Sequence, residues 1–158
     1  MDSIKVNNLS KSYGDYLAID NINFSVEKGT IHGLLGENGA GKTTTMRCLL
    51  GLSYSDSGEM YIEGDKVTRK NHKIRKSIAY LAGDFRPYEN IKPIEYFNYI
   101  LKLENNKNNR FRELSDLFKL DLNKKIKELS KGNKQKVGII QAFMRNSEIL
   151  ILDEPTVD

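Results

Sequence analysis

Cysteine occurs once in these 158 residues, as Cys48, so no disulfide framework within the chain is available and the fold must rest on a hydrophobic core. Cys48 lies in the apolar run Met46-Arg47-Cys48-Leu49-Leu50, where a buried, structural thiol is expected rather than a reactive one. Long apolar runs are also missing, so no bilayer-spanning helix is expected. The start, Met1-Asp2-Ser3-Ile4-Lys5-Val6, has no charged-then-apolar leader pattern. A reduced, cytoplasmic setting is the expectation. Nor is there a dense block of one charge. Lys and Arg number 25 against 21 Asp and Glu, and the densest basic run, Lys124-Lys125-Ile126-Lys127, has no interleaved aromatics. It reads as a solvated face, and no nucleic-acid partner is expected. Repeats are absent, and the one biased tract is Asn105-Asn106-Lys107-Asn108-Asn109.

What is present is one domain's worth of ordinary globular composition, 39% hydrophobic and 29% charged. It is organised around Gly36-Glu37-Asn38-Gly39-Ala40-Gly41-Lys42-Thr43-Thr44, in which four residues separate a Gly from Gly-Lys-Thr. The apolar run Ile31-His32-Gly33-Leu34-Leu35 is expected to enter it as a strand, and a helix from Thr44 to Leu50 to leave it. Glycines let successive N–H groups converge on an anion, and the helix adds the positive end of its dipole. Lys42 supplies a point charge for the outer phosphates, and the Thr43 hydroxyl is suited to ligating Mg²⁺. Gly-rich turns also precede helices in proteins that bind nothing. The full spacing with both flanks implies a nucleoside triphosphate site.

Elsewhere, Ile4-Lys5-Val6, Leu17-Ala18-Ile19, the alternating Asn21–Val26 and Met60-Tyr61-Ile62 read as strands. Ile78-Ala79-Tyr80-Leu81 and Ile149-Leu150-Ile151-Leu152 read as buried strands. Between them lie three helices: one opened by Pro93, one over Phe111–Leu120 with Leu114, Leu117 and Phe118 on one side, and one over Asn133–Met144. The last strand ends in Asp153-Glu154, placing two carboxylates at a sheet's carboxyl edge, where ligands bind in open α/β folds. Asp153 is suited to hold Mg²⁺, and Glu154 to act as general base on an attacking water. Ser130 and Gly132, in Leu129-Ser130-Lys131-Gly132-Asn133, stand at a helix start. They form either an anion grip or an ordinary cap.

These three segments, in this order and across nearly the whole chain, resemble the nucleotide-binding subunit of ATP-binding cassette (ABC) transporters. Gly36 to Thr44 is similar to the family's phosphate loop throughout. Leu129-Ser130-Lys131-Gly132-Asn133 is similar to its Leu-Ser-Gly-Gly-Gln signature at the first, second and fourth positions, and Asp153-Glu154-Pro155-Thr156 to its metal and general-base segment. Tyr13 falls where the family places an aromatic that stacks on adenine; on its own it is equally a turn or core residue.

The resemblance implies an α/β fold of the P-loop NTPase, ABC-ATPase type, with an N-terminal antiparallel β subdomain and a helical signature subdomain. Its parts fall at 1–87, 88–146 and 147–158 of a single incomplete domain. ATP and Mg²⁺ are the implied ligands. Tyr13 and Gly36, Glu37, Asn38, Gly39, Ala40, Gly41, Lys42, Thr43 and Thr44 would bind nucleotide, while Ser130, Gly132 and Asn133 would face a partner's ATP. Thr43 and Asp153 would hold the metal, and Glu154 would be catalytic. A second cassette and a membrane permease are the implied partners, at the inner face of the cell membrane. The form of the signature resembles exporters of the drug or antibiotic efflux type. The alternatives are a cassette acting on ribosomes or DNA, or an ATP-binding fragment without turnover.

Two departures accompany the resemblance. Gly83 and Asp84 stand where the family usually has a Gln that contacts Mg²⁺; Asp84 is a possible oxygen ligand there. The family also continues beyond Thr156 with dimer-contact residues, another strand and a switch His, so a chain lacking its C-terminal part, poor in hydrolysis, is the expectation. His32 and His72 precede the acidic pair and are expected to be a core residue and a solvated one.

Overall fold

The computed structural model describes residues 2–155, without the side chain of His72. Thr156, Val157 and the expected solvation of His72 lie outside the described residues. Two compact units divide the chain, residues 1–78 and 79–158.

The first unit is built on an antiparallel sheet in the order β2-β1-β3-β4. β1 (Asp2–Tyr13) and β2 (Tyr16–Glu27) form a long hairpin closed by the Gly14–Asp15 turn, with Tyr13 opposite Tyr16. The two short strands expected at 17–19 and 21–26 are one strand. Register shifts along the hairpin absorb the polar interruption at Asn21, whose φ is +46° and whose N–H donates to Ser10 Oγ at 2.9 Å. β3 (Ser57–Ile62) lies on the other edge of β1, pairing Ile4 with Ile62 and Val6 with Met60, all four buried. Apolar cross-strand pairs of this kind fix the register. β4 (Asp65–Lys66) closes the sheet. Helix α1 (Lys42–Leu49) packs on β2 and buries Thr45, Cys48 and Leu49. Burial raises the Cys48 thiol pKa above its ordinary value, so the thiol is the structural one expected.

One expectation fails here. Residues 31–36 form no strand; Ile31 and Leu35 are fully exposed. An apolar run becomes a strand only where a neighbour completes its hydrogen bonds, and among the described residues none pairs with it. His32 is likewise exposed rather than in a core, its ring stacked on Phe24 at 5.6 Å.

The second unit places helices around β5 (Ile78–Leu81) and β6 (Ile149–Leu152), which pair as a two-stranded sheet. α2 (Pro93–Leu103) starts with Pro93 in its first turn, where the missing N–H costs nothing, and the Lys92 N–H donates to Glu95 Oε2 at 2.7 Å. α3 (Arg110–Phe118) ends at Lys119 in a left-handed conformation, and α4 (Lys131–Met144) follows. Their shared core comprises Tyr96, Phe97 and Leu101 of α2, Phe111 and Leu114 of α3, and Val137, Ile140 and Met144 of α4. Leu117 does not join it, being 73% exposed. At 3.6 residues per turn it sits roughly 100° from the centre of the face made by Phe111, Leu114, Ser115 and Phe118. β6 alternates rather than being buried throughout: Ile149 and Ile151 face inward while Leu150 is partly exposed, the period-two pattern of a sheet covered on one side.

Tyr96 gives this core a pH dependence. Its hydroxyl donates to Gln141 Oε1, and burial, with Tyr88 nearby, pushes the phenol up to about 12. An unfolded tyrosine ionises near about 10. The fold therefore favours the neutral phenol; this stabilisation is complete below about pH 10 and is lost as pH rises toward about 12. Ultraviolet titration should show a tyrosine step at about pH 12, and Tyr96→Phe should remove it. An unchanged titration in the variant would refute the assignment.

Candidate nucleotide site

The phosphate loop is anchored at the end that joins α1. Helix α1 begins at Lys42, two residues earlier than the sequence suggested, and its cap is Gly41 at φ +83°. Gly41 packs so closely on β2 that a Cβ would sit 2.3 Å from the Ala18 carbonyl oxygen. Its own carbonyl accepts both the N–H and the hydroxyl of Thr45, at 2.8 and 2.9 Å. The loop curls over the Lys42 ammonium, which donates to the carbonyls of Gly36 and Glu37 at 2.7 and 2.8 Å. The charge expected to meet phosphates is thus held at the loop's centre by neutral acceptors, which an anion can displace at small cost. Gly36 to Ala40 are exposed, and Lys42, Thr43 and Thr44 are half-buried.

Tyr13 belongs to the same unit and is 48% exposed, at the hairpin end whose other side, Tyr16, donates to the Gly39 carbonyl at 3.0 Å. A ring with this much free surface at the rim of a phosphate loop offers a stacking face. Sequence reasoning missed the residues that hold it. The Tyr13 hydroxyl lies 3.2 Å from Ser53 Oγ, and Lys11 Nζ lies 5.2 Å from the ring centre. Lys11 is paired with Asp56 at 2.9 Å, and Asp56 also accepts the Ser12 N–H at 2.6 Å. Each partner shifts the other, Lys11 upward and Asp56 downward, chiefly through their shared hydrogen bond. The Ser-Asp-Ser-Gly stretch at 55–58 carried only a turn signal, and nothing in it pointed to Lys11.

The acidic pair and the signature belong to the second unit. Asp153 is buried, and its N–H donates to the Leu81 carbonyl at 2.9 Å. Beside its carboxyl group Gly83 has no side chain: a Cβ there would lie 3.6 Å from Asp153 Cγ. A buried carboxylate with room at its side is a donor suited to a hard cation. Among the described residues no cluster of three or more His, Cys, Asp or Glu is set to hold a metal. Glu154 is exposed, with φ at +49°, a strained conformation for a residue with a side chain, and its carbonyl lies 3.5 Å from Gln135 Nε2. Asp84, Lys131, Lys134 and Glu154 line one cleft of about 770 Å³. Ser130 caps α4, accepting the Asn133 N–H at 3.3 Å, so the ordinary cap is present. Gly132 stands in open space, where a Cβ would meet nothing. Lys134 reaches Glu89 at 2.6 Å, and the Lys127 N–H donates to the Glu89 carbonyl at 2.9 Å, tying the segment after Gly83–Asp84 to the signature helix.

The chain is similar to known proteins in sequence and in fold. Residues 19–157 match the ABC transporter family. An uncharacterized ABC transporter ATP-binding protein of Bacillus subtilis (strain 168), YhaQ, is 37% identical over 96% of this chain and 52% of its own length. The bacitracin transport ATP-binding protein BcrA of Bacillus licheniformis is 36% identical over 97% of this chain and 51% of its own. The chain thus spans about half the length of these curated relatives. A solved structure of a putative ABC transporter ATP-binding protein from Pyrococcus furiosus superposes with a TM-score of 0.85 at 28% identity, over 98% of this chain and 76% of its own. With a match that covers most of its length and a fold shared with solved cassettes, this chain belongs to the ABC transporter family.

Proposed function

We propose that this chain binds Mg-ATP and forms part of the ATP-hydrolysing subunit of a membrane exporter of the drug or antibiotic efflux type. The observation that carries the reading is the phosphate loop, with Gly41 packed on β2 and the Lys42 ammonium held at its centre. In this reading Gly36 to Thr44 wrap the phosphates and Tyr13 stacks on the base. Ser130, Gly132 and Asn133 face the nucleotide of a second cassette. Glu154 accepts the proton of the attacking water. Thr43 and Asp153 would hold Mg²⁺, which supplies charge neutralisation for the phosphates when bound. Among the described residues no helix is long and apolar enough to cross a membrane. In this reading a permease at the inner membrane face couples hydrolysis to transport. The relative named for bacitracin transport supports the antibiotic class of cargo.

Calorimetry with Mg-ATP tests the reading. Lys42→Ala removes the one formal charge aimed at the phosphates. A charge-assisted contact is worth about 1.5–3 kcal/mol, so affinity should fall roughly tenfold or more. Unchanged affinity would end the assignment. A membrane permease recovered with the tagged chain supports the transporter class, and recovery of ribosomes in its place opposes it.

A further inference from the structure

The turn between β1 and β2 is fastened at two points to the segment that carries the phosphate loop. On one side Tyr16 donates to the Gly39 carbonyl at 3.0 Å. The Gly39–Ala40 peptide is held at its other end too, because the Ala40 N–H donates to the Glu37 carbonyl at 3.1 Å. On the other side Tyr13 meets Ser53, which follows the C-terminal end of α1. Lys11, pinned by Asp56, covers the Tyr13 ring at 5.2 Å while the ring stays 48% exposed. Tyr16 itself is 56% exposed, so packing does not explain its place.

We propose that this turn grips a nucleotide at both ends: Tyr16 pre-sets the phosphate loop through Gly39, and Lys11 holds Tyr13 as a one-sided stacking surface. The proposal rests on the nucleotide reading above and adds two positioning residues to it. A peptide unit is planar, so fixing the Gly39 carbonyl also fixes the Ala40 N–H. Gly39, at φ +87°, has no side chain to restrict its backbone, so this second tether adds to the bond from Ala40 to Glu37. A loop ordered before the anion arrives spares binding that ordering cost. On the base side, the ammonium is drawn to one ring face, which restricts the ring and leaves the opposite face for a purine.

The two tethers have separable effects, because tripolyphosphate has the phosphates and lacks the base. Calorimetry on the whole chain with Mg-ATP and with Mg-tripolyphosphate reads both. Tyr16→Phe keeps the ring and removes one hydrogen bond, so both ligands should bind roughly twofold to tenfold more weakly, by the same factor. Lys11→Met keeps the stem and removes the charge. It should weaken Mg-ATP alone by roughly twofold to fivefold, and Lys11→Arg should restore it. Melting curves recorded alongside establish that the variants are folded. Tyr16→Phe binding both ligands as the parent does would overturn the proposal, as would Lys11→Met weakening both ligands equally. A parent that binds Mg-ATP beside such variants leaves the nucleotide reading standing. A parent that binds neither ligand removes that reading and this proposal together.

Discussion

Gly41→Ala is expected to abolish nucleotide binding while leaving most of the chain folded. The backbone at Gly41 has φ +83°, a region that costs an L-residue about 1–2 kcal/mol. The added methyl would also sit 2.3 Å from the Ala18 carbonyl oxygen and 3.3 Å from Ile19 Cγ1. Neither is the loose end of a flexible side chain in solvent: Ala18 and Ile19 are buried positions of β2, fixed by the hairpin. The loop must therefore move away from the strand, and it carries with it the first turn of α1, where Thr45 bonds back to Gly41. The N–H groups that should converge on a phosphate are then displaced. Gly33→Ala supplies the comparison, since a Cβ there meets nothing within 4 Å. Calorimetry with Mg-ATP should show no measurable binding for Gly41→Ala and parental binding for Gly33→Ala. Equal affinities would show that the close packing of the loop on β2 is irrelevant to the site.

Phe97→Ala is expected to be the most destabilising single change in the second unit. Phe97 is completely buried, with its ring centre 5.3 Å from that of Phe111 and 5.9 Å from that of Tyr96. It joins α2 to α3 at the middle of the core they share with α4. Removing a buried aromatic costs about 3–5 kcal/mol, transfer and cavity together. Whole domains are stable by only about 5–15 kcal/mol. Denaturant unfolding should show the second unit's transition at much lower concentration, or no folded baseline at all. Leu117→Ala, on the exposed flank of α3, should shift stability by no more than about 0.5 kcal/mol. A Phe97 variant as stable as the Leu117 variant would contradict the core described here.

What could be read in the sequence divides along the range of the interactions. The helices at 93–103, 110–118 and 131–144 were visible because their apolar spacing and their starts at Pro93 and Ser130 are local signals. β5 and β6 were visible as short apolar runs between turns, yet the exposure of Leu150 was not, since a run of four apolar residues does not say how many faces are covered. The same ambiguity misplaced Ile31–Leu35 as a strand. A strand is a pairing, and apolar character alone supplies no partner. At the site, the glycine spacing and Lys42 carry their chemistry in residue type and could be recognised directly. Lys11, Tyr16, Ser53 and Asp56 could not, because they act through contacts between residues 23 to 45 positions apart, each bond joining types that are common on any surface.

The stretch from Ile31 to Leu35, which pairs with no strand among the described residues, also bears on how the chain behaves in concentrated solution. It contains Ile31, Leu34 and Leu35, no proline and no Asp, Glu, Lys or Arg. Its two outer apolar side chains are fully exposed. A short, uncharged, apolar segment with open backbone groups is a template on which a second copy can lay down a strand. Lys28 and Glu37 bracket it and are the nearest charges that oppose such stacking. Colloidal behaviour is thereby separated from folding stability. A substitution that strengthens the core leaves this segment as adhesive as before, whereas one added charge at Ile31 or Leu35 would change solubility without touching the core.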